Sequence, residues 1–261
     1  MSQEEYIYSK REEIKSHFAR RTVDQQAGFL LRHLRQGMTL IDCGCGPGSI
    51  THGLARIVGS AKVWGVDVDM QSLQKGRSSA AESGAFFANA NIFSLPFAAN
   101  VFDVAYSNAV LSHLSDPLAA LLEIRRVLKP GGILAVRVPD FDGRLIVPQD
   151  DRLIRSLQAH VAEVRKRGGN PTLGKHLRSF ALQAGFVNVE AAAEYESFGT
   201  PDAVRYWGNV VSTGLLESLA EKGSEAEREE CKGRAVAWRE WAEGEDSFLA
   251  SAWCTVLGWK A

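Results

Sequence analysis

The sequence predicts a doubly wound α/β fold in which seven strands form a mostly parallel sheet, with helices on both faces and a helical cap over the ligand-binding edge. Three observations carry this expectation. Short apolar runs alternate with amphipathic stretches through the first half of the chain, a glycine-rich turn follows the first of those runs, and the alternation breaks after Pro139 into long helical segments.

From Gln3 to about Arg35 the chain is charged, with Ile14, Phe18, Phe29, Leu30, Leu31 and Leu34 at near-helical spacing, which predicts one or two helices ahead of the sheet. Thr39-Ile41, Val63-Val66, Ala85-Ala88, Val104-Tyr106 and Ile133-Val138 then read as buried strands. The best-marked helix follows the fourth of these. Asp116 suits its N-cap, Pro117 its first turn, and Leu118, Leu121, Leu122, Val127 and Leu128 give it an apolar face, before Lys129-Pro130-Gly131-Gly132 ends it.

Residues 37–139 are therefore expected to form the α/β core, and residues 140–172 a helical insertion whose helix, Asp151 to Arg167, is closed by Gly168-Gly169-Asn170-Pro171. Residues 173–261 complete the core with a helix (Leu173 to Ala184), a strand (Val187-Val189), a helical insertion at about 201–243, and a last strand, Phe248 to Trp259, placed inside the sheet.

With 30 Lys and Arg against 31 Asp and Glu, no net field exists to attract a phosphate backbone, so nucleic acid is not expected as a partner. The first residues are polar, and no run approaches the ~20 apolar residues of a membrane span. The expected location is the cytoplasm. Cysteines 43, 45, 231 and 254 lack the spacing of a zinc site or a disulfide framework, so reduced thiols and no metal are expected.

In an open parallel sheet, ligands bind beyond the carboxyl ends of the strands, and here the first such end leads into Asp42-Cys43-Gly44-Cys45-Gly46-Pro47-Gly48. Glycines 44, 46 and 48 remove side chains that would block a ligand and permit backbone angles that a Cβ forbids. A dinucleotide turn needs a different glycine spacing, and Asp42 would repel a pyrophosphate while suiting an ammonium group. No Gly-Lys-Ser/Thr follows, which excludes a P-loop. Asp67, at the end of the second strand, is placed to accept hydrogen bonds from two ribose hydroxyls, a role that taken alone would fit NAD equally well.

Five segments occur in order: LIDCGCGPGSI (40–50), GVDVD (65–69), ANIFSLPF (90–97), FDVAYSNAVLSHL (102–114) and LKPGGIL (128–134). Together they resemble the class I S-adenosylmethionine-dependent methyltransferases, in the style of the ubiquinone and menaquinone biosynthesis group. The resemblance implies a Rossmann-like fold, S-adenosyl-L-methionine as cofactor, and an N-terminal helical lid over residues 1–36. It also implies that Asp42, Gly44, Gly46 and Gly48 border the methionine part, that Asp67 holds the ribose and that Val68 packs on adenine. Asn91 and Ile92 match the family position that reads the adenine edge, with Asn where Asp is usual, and Asn108 matches the position beneath the methionyl group.

Methyl transfer from a sulfonium is an in-line displacement, so the protein mainly aligns the acceptor and excludes water. A base is needed only for an acceptor that must lose a proton. His113 is the candidate for that role, against the alternative of a structural histidine in a turn; Tyr8, with Tyr6, is a candidate to orient the acceptor. His17, Arg20 and Arg21 lie in the same segment, where an arginine could pair with the methionyl carboxylate, and Trp207, Trp238, Trp241 and Trp253 are candidates to line an apolar pocket. The expected partner is a small, apolar or aromatic acceptor methylated on oxygen, nitrogen or carbon. The alternatives are a non-methylating S-adenosylmethionine-binding protein or cyclase-like catalyst on the same fold, and a nicotinamide oxidoreductase.

Overall fold

Along each central strand, successive side chains enter two different cores, as the period of two in a strand requires. Leu40, Val63, Val104 and Ala135 join one, while Ile41, Val66, Ala105 and Val136 join the other. A sheet buried on both faces follows from that pattern. The structure is a computed structural model and describes residues 12–59, 62–221 and 223–261.

The sheet has seven strands in the order β3-β2-β1-β4-β5-β7-β6. β1 (Leu40–Cys43), β2 (Val63–Asp67), β3 (Phe86–Asn89), β4 (Phe102–Asn108) and β5 (Leu128–Val147) pair in parallel. β7 (Phe248–Lys260) runs antiparallel between β5 and the edge strand β6 (Phe186–Phe198). The expected mostly parallel sheet, with the last segment inside it, is what the chain forms.

Helices α1 (Glu12–Ala19), α2 (Val23–Leu31), α3 (Ser49–Val58), α4 (Met70–Ser78) and α5 (Ala80–Ser83) come from the first part of the chain. Ala27 and Leu30 of α2, Leu54 and Val58 of α3 and Leu73 of α4 fill one core. On the other face lie α6 (Pro117–Val127), through Leu121 and Ile124, and α8 (Leu177–Gln183), through Leu177 and Ala181. α6 starts as its sequence predicts, with the Asp116 side chain accepting from the Ala119 N–H at 2.9 Å and Pro117 in its first turn.

The strands run further than their apolar runs suggest. β5 continues past Pro139 because β7 offers it a partner as far as Leu145↔Ala250, Ile146↔Leu249 and Val147↔Phe248. β6 likewise follows β7 out to Phe198↔Leu249. On these extensions a third core assembles: Ile146, Phe198 and Leu249 meet Leu153 of α7 (Asp151–Lys166), Val204 of α9 (Pro201–Glu217) and Trp238 and Trp241 of α10 (Glu225–Ala242). Gly208 permits the close approach of α9 to α10, since a Cβ there would lie 2.7 Å from the Trp238 carbonyl oxygen. The Trp238 indole N–H donates to Ser156 Oγ at 2.9 Å, tying α10 to α7.

α1 bridges two parts of the molecule. His17 Nδ1 and Tyr206 Oη of α9 are 3.0 Å apart, and Lys15 pairs with Asp69 at 3.3 Å at the start of α4.

Trp238 is buried and anchors the third core, so Trp238→Ala is expected to cost about 3–5 kcal/mol of unfolding free energy in urea titrations. A loss below about 1 kcal/mol would show that this core does not depend on it.

Candidate active site

From β1 the chain winds outward to β2 and β3 on one side, then returns to the other side of β1 as β4. At that reversal the loops leave in opposite directions and no crossover covers the strand ends. A cavity of about 440 Å³ lies there, lined by Asp42 and the turn after β1, by Asp67 and Val68 after β2, by Asn91 and Ile92 after β3, and by Asn108, Ala109 and Val110 after β4. Its far wall includes Phe18 and Arg21 from the N-terminal helical segment, His113 and Leu114, and Val164 and Arg167 from the end of α7.

Gly44, Gly46 and Gly48 all have positive φ (80°, 52° and 80°). Their reasons differ. A Cβ at Gly44 would collide with Val110, and one at Gly48 would lie 2.6 Å from the Phe87 ring, whereas one at Gly46 would meet nothing within 4 Å. Only at Gly46 is the missing side chain open space toward the ligand region. Gly48 does not line the cavity but caps α3, so its glycine is set by packing and backbone angle rather than by ligand approach.

Two carboxylates end the central strands. Asp42 is buried; its Oδ2 accepts from Thr51 Oγ1 at 2.6 Å, and burial, reinforced by the nearby Asp67 charge, pushes its pKa up to about 7. Asp67 accepts from the Gly46 N–H at 2.7 Å and from the Asp69 N–H at 2.8 Å, which ties the glycine turn to the end of β2. Burial raises its pKa as well. Both carboxylates are thus less stable as anions than in water, and a cation brought into the cavity would stabilise them. Burial pushes the Cys43 and Cys45 thiols well up, which keeps them protonated. Among the described residues, no group of His, Cys, Asp and Glu could hold a metal ion.

On the loop after β3, Asn91 Oδ1 accepts from the Phe93 N–H at 3.0 Å, so its amide holds the loop's own shape while Ile92 is buried beneath. Asn108 is buried at the end of β4; its Nδ2 donates to Gln26 Oε1 at 3.3 Å, and its Oδ1 has no hydrogen-bond partner. His113 ends a short helical turn, Leu111–His113. Burial, with Arg21 nearby, lowers its pKa to about 4, so it is a neutral imidazole at neutral pH.

The cavity therefore brings together Asp42, Gly44, Gly46, Asp67, Val68, Asn91, Ile92, Asn108 and His113. Tyr8 and Tyr6 lie outside the described residues. Of the tryptophans, none lines the cavity: Trp238 and Trp241 belong to the third core, Trp207 packs on its edge, and Trp253 lies against the Arg137 guanidinium at 3.9 Å. His17 and Arg20 face Tyr206 instead of the cavity. Sequence reasoning missed Gln26, Arg137, Val164 and Arg167. Arg137 carried a signal, being a lone charge inside the apolar run Ile133-Val138.

The glycine turn, paired strand-end carboxylates and switch-point crevice define a nucleoside-binding α/β enzyme of one broad class. A methyltransferase-domain family model matches residues 41–136. An uncharacterized methyltransferase of Schizosaccharomyces pombe is 29% identical over 236 residues, covering 85% of this chain and 84% of that protein. A 2-phytyl-1,4-naphthoquinone methyltransferase of Trichormus variabilis is 31% identical over 174 residues, 59% of this chain and 75% of that one. In fold, the chain resembles Haemonchus contortus phosphoethanolamine N-methyltransferase 2 in complex with S-adenosylhomocysteine, with a TM-score of 0.58 at 18% identity, covering 91% of this chain and 52% of that one. The chain belongs to the S-adenosylmethionine-dependent methyltransferases. Its residues fit that cofactor: Gly46 leaves open space, Asp42 and Asp67 favour a cation, and the unpartnered Asn108 Oδ1 is an acceptor at the cavity wall.

The three glycines separate by experiment. Gly46→Ala is expected to lose about 1–2 kcal/mol of stability from its backbone angle, while Gly44→Ala and Gly48→Ala lose about 1–3 kcal/mol more from overpacking. Equal losses in urea titrations at all three would contradict this division.

Proposed function

We propose that this methyltransferase acts on a small, apolar or aromatic acceptor seated between the glycine turn and the wall formed by Phe18, Leu114 and Val164. The observation that carries this reading is that one cavity joins a strand-end half with Asp42 and Asp67 to a far wall where Phe18, Leu114 and Val164 supply apolar surface beside Arg21 and Arg167. The naphthoquinone specificity named for one relative supports an acceptor of that kind. Helices α1, α2, α7, α9 and α10 are assigned as the cover over the α/β core, divided as the sequence suggests into an N-terminal lid and a cap. The cytoplasm is the proposed compartment, supported by four cysteines that are all free.

Bound S-adenosylmethionine supplies an electrophilic methyl group on a sulfonium. The chain's own residues then have three tasks. Asp67 is assigned to the ribose hydroxyls, for which each of its oxygens retains an acceptor site beyond its backbone hydrogen bond. Val68, which is exposed at the cavity, and Ile92 are assigned to the adenine faces, with Asn91 at its edge. Asp42 and Asn108 are assigned to the cationic methionyl end, and the apolar wall excludes water from the acceptor.

His113 is assigned as a neutral hydrogen-bonding group facing the acceptor. An imidazole whose conjugate acid has a pKa of about 4 is a weak base at neutral pH, which favours acceptors that carry their own lone pair or charge.

Two measurements follow from these pKa shifts. The Asp42 pKa of about 7 is raised, so the free protein holds a proton there below that pH, and a bound cation displaces it. Cofactor binding is therefore expected to release roughly half a proton at pH 7 and nearly one at pH 6, with affinity rising up to about pH 7 and levelling above it. Calorimetry in buffers of different ionisation enthalpy reads this directly; buffer-independent heats from pH 6 to 8 would remove Asp42 from the cation site.

Labelled methyl transfer to a fractionated metabolite extract tests the acceptor class. Label is expected in apolar small molecules, and label found only in protein or nucleic acid would overturn the reading. With the acceptor so found, His113→Gln should keep kcat within about threefold, whereas loss of a general base costs about 10²–10⁴-fold.

A further inference from the structure

Arg137 is a guanidinium buried in the middle of an apolar strand, with hydrogen-bond partners on two of its nitrogens. Its Nε donates to Glu194 Oε1 at 2.8 Å, its Nη1 donates to Gln26 Oε1 at 2.7 Å, and its plane lies 3.9 Å from the Trp253 ring. Arginine has donors and no acceptor. Gln26, itself buried, must therefore turn its carbonyl oxygen toward Arg137, because the opposite orientation would set its NH₂ against a guanidinium.

That same Gln26 oxygen receives Asn108 Nδ2 at 3.3 Å. Turning the Asn108 amide over would oppose two oxygens, so the orientation of Gln26 is passed on to Asn108. The consequence is that Asn108 keeps its nitrogen on the protein side and leaves Oδ1, buried and without a hydrogen-bond partner, as the atom available to a ligand. The main chain holds the parts in place. Asn108 and Arg137 are register partners on β4 and β5, and the buried Tyr106 hydroxyl donates to the Gln26 main-chain carbonyl at 2.9 Å, fixing α2 above them.

We infer that Gln26 and Arg137 are positioning residues that fix the polarity of the Asn108 amide, so that the cavity presents an acceptor oxygen to the ammonium group of the bound nucleoside amino acid. This rests on the placement of the methionyl end at Asn108 given above. Neither positioning residue lines the cavity, so their effect on binding travels through the orientation of one side chain.

The test compares two ligands by calorimetry. S-adenosylhomocysteine carries the ammonium group, while 5′-methylthioadenosine has the same adenosine and thioether but no amino-acid end. Gln26→Met, which removes the relay while keeping the side chain's length, is expected to weaken S-adenosylhomocysteine by about tenfold or more and 5′-methylthioadenosine by less than about threefold. Arg137→Met should show the same selectivity. Gln26→Glu offers only acceptor oxygens to both neighbours and should hold both ligands within about threefold of wild type. Parallel weakening of both ligands in Gln26→Met, unchanged binding in Gln26→Met, or a Gln26→Glu protein as impaired as Gln26→Met would each overturn the relay. Were wild type to bind 5′-methylthioadenosine and S-adenosylhomocysteine equally, the methionyl placement at Asn108 would fall first, and the relay with it.

Discussion

Everything at the site depends on one constraint of parallel sheets: the two strands flanking a reversal of strand order send their loops apart, and the gap between them has no main chain to fill it. In this chain the gap opens between β1 and β4. The residues at the carboxyl ends of those strands inherit two properties from it. They are surrounded by protein, which makes charge costly, and they face a space that the protein does not fill. Asp42 and Asn108 show both, one as a carboxylate with a raised pKa and the other as an amide with an oxygen left over. The hydrogen bond from the Gly46 N–H to Asp67 then fixes the glycine turn against the next strand end, so that the rim of the gap has a defined shape.

Much of this was legible in the sequence because it is local. Strand positions follow from short apolar runs, the α6 start from Asp116 and Pro117, and the glycine turn after β1 from Asp42 through Gly48. What was not legible is set by distant residues. The reason for glycine at 44 and 48 is the presence of Val110 and Phe87, which no spacing rule connects to the turn. The lengths of β5 and β6 depend on β7, whose final residues lie more than a hundred positions beyond the start of β5. The partnership of Gln26 with Arg137 joins residues 111 positions apart. Each needs the fold before it can be seen.

The far wall of the cavity has the same character. Phe18 comes from α1, Leu114 follows the turn after β4, and Val164 belongs to α7. No stretch of sequence carries them together, and the tryptophans that sequence composition offered for this wall are used elsewhere, mainly to pack α10 against α7 and the strand extensions. The strand-end side of the cavity is thus concentrated in segments that can be read in order along the chain. The far wall is spread over elements that meet only in three dimensions.

The strand extensions also decide how firmly α9 and α10 are held. β6 and β7 stay paired from the sheet into the third core, with one register shift near the sheet end, so α9 and α10 are mounted on a ladder continuous with the sheet. Swinging those helices as a body would break main-chain hydrogen bonds in the middle of two strands. α1 is fastened differently, by side-chain pairs such as Lys15 with Asp69 and His17 with Tyr206. α1 is therefore held by side chains where α9 and α10 are held by main chain.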